Sequence, residues 1–181
     1  MPGETRVKGA AATPTANLSE MNSRETGVGP RDAVTLDELR HADLPSLERL
    51  FVTAPVAPNP TRRLRGTTLM RIDSPRARSP LGRLLVLPFE RLPFGVDFRT
   101  GRWFFVAPAL QLGSFRAQIA RSRWRETDVV ALHYETSRLP RAIKGWLYDE
   151  VKPLAPDLCL GLGGIQTQSG DGDLFFFALH P

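Results

Sequence analysis

The sequence predicts a mainly β fold: an antiparallel barrel of about seven or eight short strands, preceded by an N-terminal helical segment and a disordered N-terminal tail. Three observations carry this expectation. From about residue 64 onward, short apolar runs alternate with turn-forming residues, the pattern of an antiparallel meander. The closing run "LFFFALHP" is apolar on both faces, which suits a strand sandwiched within a barrel that a helix covers, or at a partner interface. Closing such a sheet removes its exposed edges, and about eight strands leave room for one small ligand.

Residues 1–33 are rich in Ala, Thr, Gly, Pro, Ser and Glu and have almost no large apolar side chains. They have too little surface to bury against the entropy of ordering, so a disordered tail is expected. Residues 34–60 form the helical segment and a connector. In "TLDELRHADLPSLERLFVTA", Thr35 or Asp37 can cap a helix by accepting a free N–H, and Leu36, Leu39, Leu47, Leu50 and Phe51 form an apolar stripe. Pro45 lacks a backbone donor and clashes with the preceding turn, which predicts two short helices or one kinked helix. The proline-rich "APVAPNP" then reads as a semi-rigid connector.

Residues 61–181 are the expected barrel domain. "LRGTTLMRI" is a first strand. In "SPLGRLLVLPFERLPF", Leu81, Leu84 and Leu85 have helical spacing, but Pro80, Pro88 and Pro93 hem them in, which predicts a short helix or an irregular flap. "GVDFRTGRWFFVA" reads as two strands joined at Thr100-Gly101, where glycine supplies the positive φ of a tight turn. "SFRAQIARS" alternates, placing Phe115, Ala117 and Ile119 on a buried face, and "DVVALHYET" continues the meander. In "LPRAIKGWLYDEV", Ile143, Trp146, Leu147 and Val151 share a helical face and Pro140 suits a first turn, so a short helix is expected to run into the next strand. "YDEVKPLA", a corner at Pro156-Asp157 and "LCLGLGGIQT" form a hairpin. Leu158, Leu160 and Leu162 point to one face, Cys159, Gly161 and Gly163 to the other. A row of glycine on one face implies a close backbone approach or a bend in a curling sheet. After "SGDGD", Phe175 and Phe177 oppose Leu174, Phe176 and Ala178.

A chain of 181 residues suits one compact domain with appendages. The single cysteine, Cys159, excludes an internal disulfide. His41, His133 and His180 are scattered, with no C-x-x-C or H-E-x-x-H spacing, so neither a metal nor a cofactor is expected. The N-terminus lacks the apolar core of a signal peptide, and no run of roughly 18 uncharged apolar residues follows it, which predicts a cytoplasmic protein with no membrane span. The net charge of +5 is unevenly spread: residues 61–126 carry fourteen basic against four acidic groups, residues 34–60 two against four and residues 127–181 four against seven. Arg116, Arg121, Arg123 and Arg125 interleave with Phe115 and Trp124, as on nucleic-acid surfaces. Alternation sets Phe115 opposite Arg116, however, and the flanking segments are negative, so a solvated basic surface is expected and a nucleic acid partner is disfavoured.

No G-x-S-x-G, Walker or dinucleotide motif occurs. Glycines 161, 163 and 164 precede a strand and a polar turn rather than a helix N-terminus, which removes a phosphate loop. Cys159 has no base or cation beside it in sequence and reads as a buried structural thiol.

The order of Leu64 to Gly66, an apolar flap, "PFGVDF", a glycine turn, "YDEVKPLAPDLCLGLGG" and the "LFFFAL" strand resembles a bacterial family of lipocalin-like, calycin-type β-barrels over roughly residues 64–179. The resemblance implies an Asp-Glu pair ahead of a glycine-leucine-tyrosine-leucine-glycine type strand, and a tryptophan-glycine-lysine element upstream. Asp149, Glu150, Leu158, Leu160 and Gly161 fit. Phe94-Gly95-Val96 departs from the upstream element by lacking its lysine, which removes a polar anchor. What the resemblance implies is a lipocalin-like barrel rather than a particular reaction.

Adjacent residues on a strand face opposite ways, so Asp149 and Glu150 cannot act together as an acid-base pair. An inward acid would meet an Arg, a Tyr or a ligand hydroxyl; the alternative is a salt bridge at the rim. His133 and Tyr134 split in the same way, and a histidine titrates near neutral pH. Aromatic side chains in a barrel fill the core or hold an apolar ligand. The candidate ligand-binding residues are Trp103, Phe105, Phe115, His133, Tyr134, Asp149, Phe175 and Phe177. The expected function is noncatalytic binding of a hydrophobic or amphipathic small molecule inside the barrel. The alternatives are a cyclase or isomerase using Asp149 or Tyr134 on an apolar substrate, and a protein-interaction module pairing through "LFFFAL". Ligand identity and oligomeric state stay open.

Overall fold

The computed structural model describes residues 34–58, 60–107, 111–134, 137, 145–167 and 169–181. The tail expected over residues 1–33 and the helical stretch 139–144 lie outside the described residues. The chain begins with two helices, α1 (Leu36–His41) and α2 (Leu44–Thr53). Thr35 closes a capping box on α1: its Oγ1 accepts from Glu38 N at 3.2 Å, and Glu38 Oε2 accepts from Thr35 N at 2.7 Å. Asp43 caps α2 by accepting from Ser46 N at 3.0 Å. The break therefore falls at Ala42-Asp43, and Pro45 sits in the first turn of α2, where a missing donor costs nothing.

Nine antiparallel strands follow: β1 (Arg63–Arg71), β2 (Phe94–Asp97), β3 (Arg102–Phe105), β4 (Gln111–Ser114), β5 (Arg116–Arg121), β6 (Asp128–His133), β7 (Leu147–Ala155), β8 (Leu158–Ile165) and β9 (Asp173–His180). Helices α3 (Pro75–Arg78) and α4 (Pro80–Arg91) lie between β1 and β2. The flap of the sequence reading thus contains a 12-residue helix. The count is nine rather than seven or eight because β4, four residues including a glycine, is too short to show a period of two in sequence.

The sheet order is β4-β3-β2-β1-β9-β8-β7-β6-β5. Its two edge strands, β4 and β5, are consecutive in the chain and separated only by Phe115. The two edges must therefore meet at that residue, and the sheet curls into a nearly closed barrel.

Two apolar layers result. Leu64, Phe94, Leu132, Val151, Phe175 and Phe177 belong to the interior. Outside, Leu39, Leu47 and Phe51 of the helices pack on Leu160, Leu162 and Phe176. Phe51 meets Phe176 edge to face, 6.0 Å between centroids. Strands β8 and β9 are apolar on both faces because one face lines the barrel and helices cover the other. Buried Lys152 ties this outer layer down by donating to Ala54 O at 2.6 Å and Thr127 Oγ1 at 2.9 Å. Arg125 joins Glu48 of α2 to Asp173 of β9.

The hairpin turns at Pro156-Asp157 as expected, and β8 alternates: Leu158, Leu160 and Leu162 lie in the outer layer and Cys159 in the interior. A Cβ on Gly161 would come within 2.3 Å of the Phe177 ring, and one on Gly163 within 2.5 Å of Phe175. These glycines make room for aromatic rings crossing from β9.

Four local expectations are corrected. Leu174 joins Phe175 in the interior instead of opposing it, because Gly163 pairs with Phe175 and Gly164 with Asp173, leaving Leu174 as a bulged extra residue. Ile119 is 60% exposed, since the edge strand β5 pairs along its length with β6 alone among the described residues. Leu147 and Val151 lie in β7 rather than on a helix, and Trp146 occupies an exposed turn before it. On α4, Leu81 and Leu84 face outward while Leu85 packs against the core, so the leucine spacing marked mainly the exposed side.

Phe51 is fully buried and bridges helix and sheet. Phe51→Ala is expected to destabilise the protein by about 3–5 kcal/mol, read as a lower urea midpoint at unchanged slope.

Candidate functional site

Register across the β6 and β7 pair sets Leu132 opposite Asp149 and His133 opposite Tyr148. Tyr134, just past β6, therefore lies diagonally across from Asp149 on the inward face. Its Oη donates to Asp149 Oδ2, and the Gly164 N–H also donates to this carboxyl. Glu150 points the other way, accepting from Ser122 Oγ and from Arg123 N, the latter at 2.7 Å. The two adjacent acids are thus separated by the sheet itself.

Asp149 and Tyr134 sit on the wall of an apolar cavity of about 40 Å³, bounded by Leu85 and Phe89 of α4 and by rings that include Phe94, Trp103, Phe175 and Phe177. A water needs roughly 10–15 Å³ of such space, so two or three water-sized groups fit, far below the roughly 300–1,000 Å³ of sites for larger ligands. Phe89 closes the cavity under α4, its ring 5.3 Å from Phe94, 5.1 Å from Phe105 and 5.1 Å from Phe175. Beyond that packing, α4 is held by a bond from Thr68 Oγ1 to Phe89 O at 2.8 Å and by the Arg71–Glu90 ion pair. Pro88 lies inside the helix and cannot donate to the carbonyl one turn back, which weakens the lid toward its C-terminal end.

Burial disfavours the charged form of Asp149 and outweighs the bonds from Tyr134 and Gly164, so its pKa is pushed up to about 6. Burial first, and then the neighbouring Asp149 charge, drives the Tyr134 phenol well above its usual range. Among the described residues no cation pairs with Asp149. The site can therefore offer a ligand either a protonated acid that donates or a carboxylate that accepts, and the balance shifts close to neutral pH. Cys159 is also buried, its thiol pushed up to about 12 mainly by burial, which leaves it unreactive.

Of the residues singled out in sequence, Trp103, Tyr134, Asp149, Phe175 and Phe177 line the cavity. Phe105 and Phe115 stand one ring behind, Phe105 5.1 Å from Trp103 and Phe115 6.2 Å from Tyr134. His133 lies outside it, against Gln118 and the Tyr148 ring on the outer face. The sequence reading missed Leu85 and Phe89, whose spacing of four residues is the helical signal for a shared inward face, and Phe94, Leu147, Ile165 and Leu174. Among the described residues Trp103 Nε1 is buried without a hydrogen-bond partner, and it lies against Gly113, where an added Cβ would come within 1.9 Å of it. A second concavity, between the connector and the β7–β8 corner, is lined by Pro58, Pro60, Pro153 and Pro156 and has no acid or base besides Arg62.

The chain matches no protein-family model and no curated protein. A solved structure of a protein from Thermomonospora curvata is similar to it over 77% of this chain and 87% of its own, at 18% identity and a TM-score of 0.45.

Because the pKa of Asp149 rises from 3.8 to about 6 on folding, the folded protein holds a proton there that the unfolded chain releases. The linkage favours folding below about pH 4 and is lost as pH rises through about 6. Its size, at about 1.4 kcal/mol per tenfold in proton affinity, is on the order of 3 kcal/mol. Asp149→Asn is expected to lack this decline, so the stability difference between variant and parent should change by that amount between these pH limits. A constant difference in urea unfolding would show that Asp149 titrates normally.

Proposed function

We propose that the barrel binds a small apolar or amphipathic molecule whose hydroxyl or carbonyl group meets Asp149 and Tyr134. The observation that supports this reading is the acid–phenol pair itself. A carboxyl kept from water with no cation beside it costs stability, and such groups collect where a ligand or a reaction uses them. The surrounding rings provide the apolar contact, and the pair supplies one polar anchor, the usual composition of a small-molecule site. A ligand larger than a few atoms must displace α4, and Pro88 places a weak point in that lid.

A second reading rests on the pKa near 6 of Asp149. An acid titrating this close to neutral pH inside an apolar cavity is poised for general acid-base chemistry, which supports a cyclase or isomerase on an apolar substrate. The binding reading requires less, since besides the bonded Asp149–Tyr134 pair no other titratable side chain lines the cavity among the described residues.

Protein purified from its native host is to be extracted with organic solvent and the extract read by mass spectrometry, and the ligand-free protein titrated with 1-decanol. A stoichiometric compound bearing a hydroxyl or carbonyl is expected. Asp149→Leu is expected to weaken decanol binding by about tenfold, the loss of one buried hydrogen bond. An empty extract together with no decanol binding rejects the proposal; equal affinity in parent and variant removes Asp149 from it.

A further inference from the structure

We propose that the outer face of α4 docks on an anionic lipid surface. Helix α4 is apolar on both sides. Gly82 and Val86 are buried beneath it and Leu85 and Phe89 wall the cavity, while Leu81, Leu84 and Leu87 on the opposite side are 45%, 65% and 41% exposed. Leu92, at its end, is 44% exposed, and Val106 lies beside it, donating from its backbone N to Pro93 O at 2.6 Å. Val106 is itself exposed and held at φ 62°, a left-handed conformation that β-branched residues rarely adopt. Strain of this kind persists where the surroundings enforce it, and it collects at clamps and rims. The result is a raised apolar edge over the cavity.

The charge around this edge identifies its occupant. Between residues 75 and 92 stand Arg76, Arg78, Arg83 and Arg91 against the single acid Glu90. Glu90 is taken by Arg71, with the Arg91 charge also lowering its pKa, Arg78 by Asp73 and Arg76 by Asp171, whereas Arg83 makes no ion pair among the described residues. Leucines projecting beside Arg83 and Arg91 are the pattern of a helix lying in a membrane interface, with apolar side chains below the headgroups and cations among anionic lipids. A second copy of the chain suits the face poorly, because a two-fold contact would set this arginine-bearing face against itself, with Glu90 already taken by Arg71. An electroneutral apolar partner would leave Arg83 without a counterion.

Docking stands on the geometry of α4 alone. That it also delivers ligand to the cavity, since the helix in the lipid is the helix over Leu85 and Phe89, rests on the binding reading above. The test is flotation of the full chain with vesicles of phosphatidylcholine alone and of an equimolar mixture with phosphatidylglycerol. Binding to the mixed vesicles, little to the neutral ones, and weakening by salt are expected. Leu84→Glu with Leu87→Glu is expected to reduce binding at least about tenfold while decanol affinity is unchanged, and Arg83→Glu with Arg91→Glu to do the same. Equal binding to both vesicle types, no binding, or two variants that bind like the parent would overturn the proposal. So would a dimer that dissociates in the leucine variant without any flotation, which would assign the face to a second copy. Decanol binding without flotation removes docking alone, and flotation without decanol binding removes the cavity reading alone.

Discussion

The chain passes from one edge of its sheet to the other through the single residue Phe115. No loop is available there to let the edges drift apart, so barrel closure is imposed by covalent connectivity before side chains contribute. Phe115 N donates to Gly101 O at 2.7 Å, fixing the crossing to the β2–β3 turn. Its ring then packs inward, 5.8 Å from Phe98 and 6.2 Å from Tyr134. The residue that closes the sheet thus also buttresses the phenol that holds Asp149. Closure and site geometry are one constraint seen at two levels.

A closed sheet of this size leaves a narrow interior, and ten phenylalanines in the chain must find places in or around it. The solution is local pairing of large with absent side chains. Phe175 and Phe177 lie across Gly163 and Gly161 of the adjacent strand, and Phe94 lies across Gly66, where a Cβ would come within 2.0 Å of its ring. The rings can then lie flat along the wall instead of filling the centre, which is what leaves a small cavity beside Asp149. On the outer wall the same two strands are sealed by α1 and α2, with Arg125 and Lys152 supplying the polar anchors. Inside, the rings and the covering α4 keep Asp149 away from water, and that burial raises its pKa.

Much of this could be read from local pattern. Alternation in β8 placed its leucines and glycines on the correct faces, adjacency split Asp149 from Glu150 and His133 from Tyr134, and Pro156-Asp157 marked the corner. Each of these depends only on the period of a strand or the chemistry of a turn. Three failures depend on something distant in sequence. Leu174 turned inward because of a bulge defined by its partner strand, Ile119 stayed exposed because its sheet edge has one neighbour, and β4 showed itself only through pairing with β3. His133 was grouped with the cavity on its chemistry, although its own alternation with Tyr134 already pointed it outward.

Helix α4 and the β8–β9 pair are each apolar on two faces, and sequence alone treats them alike. Their surroundings do not. The outer face of β8 and β9 lies under Leu39, Leu47 and Phe51, whereas Leu81, Leu84 and Leu87 of α4 meet no such layer among the described residues. A two-faced apolar element that is covered is a core element, and its second face contributes to stability. One that is uncovered gains nothing from its outer leucines in the isolated protein and exposes them to water at a cost. Such residues make physical sense when the helix exchanges environments. The same helix carries an interior proline, walls the cavity with Leu85 and Phe89, and is anchored by Val86 in the core, the Thr68–Phe89 bond and the Arg71–Glu90 ion pair. The interior proline and the uncovered outer leucines are complementary, because each lowers the work of moving α4 away from the barrel.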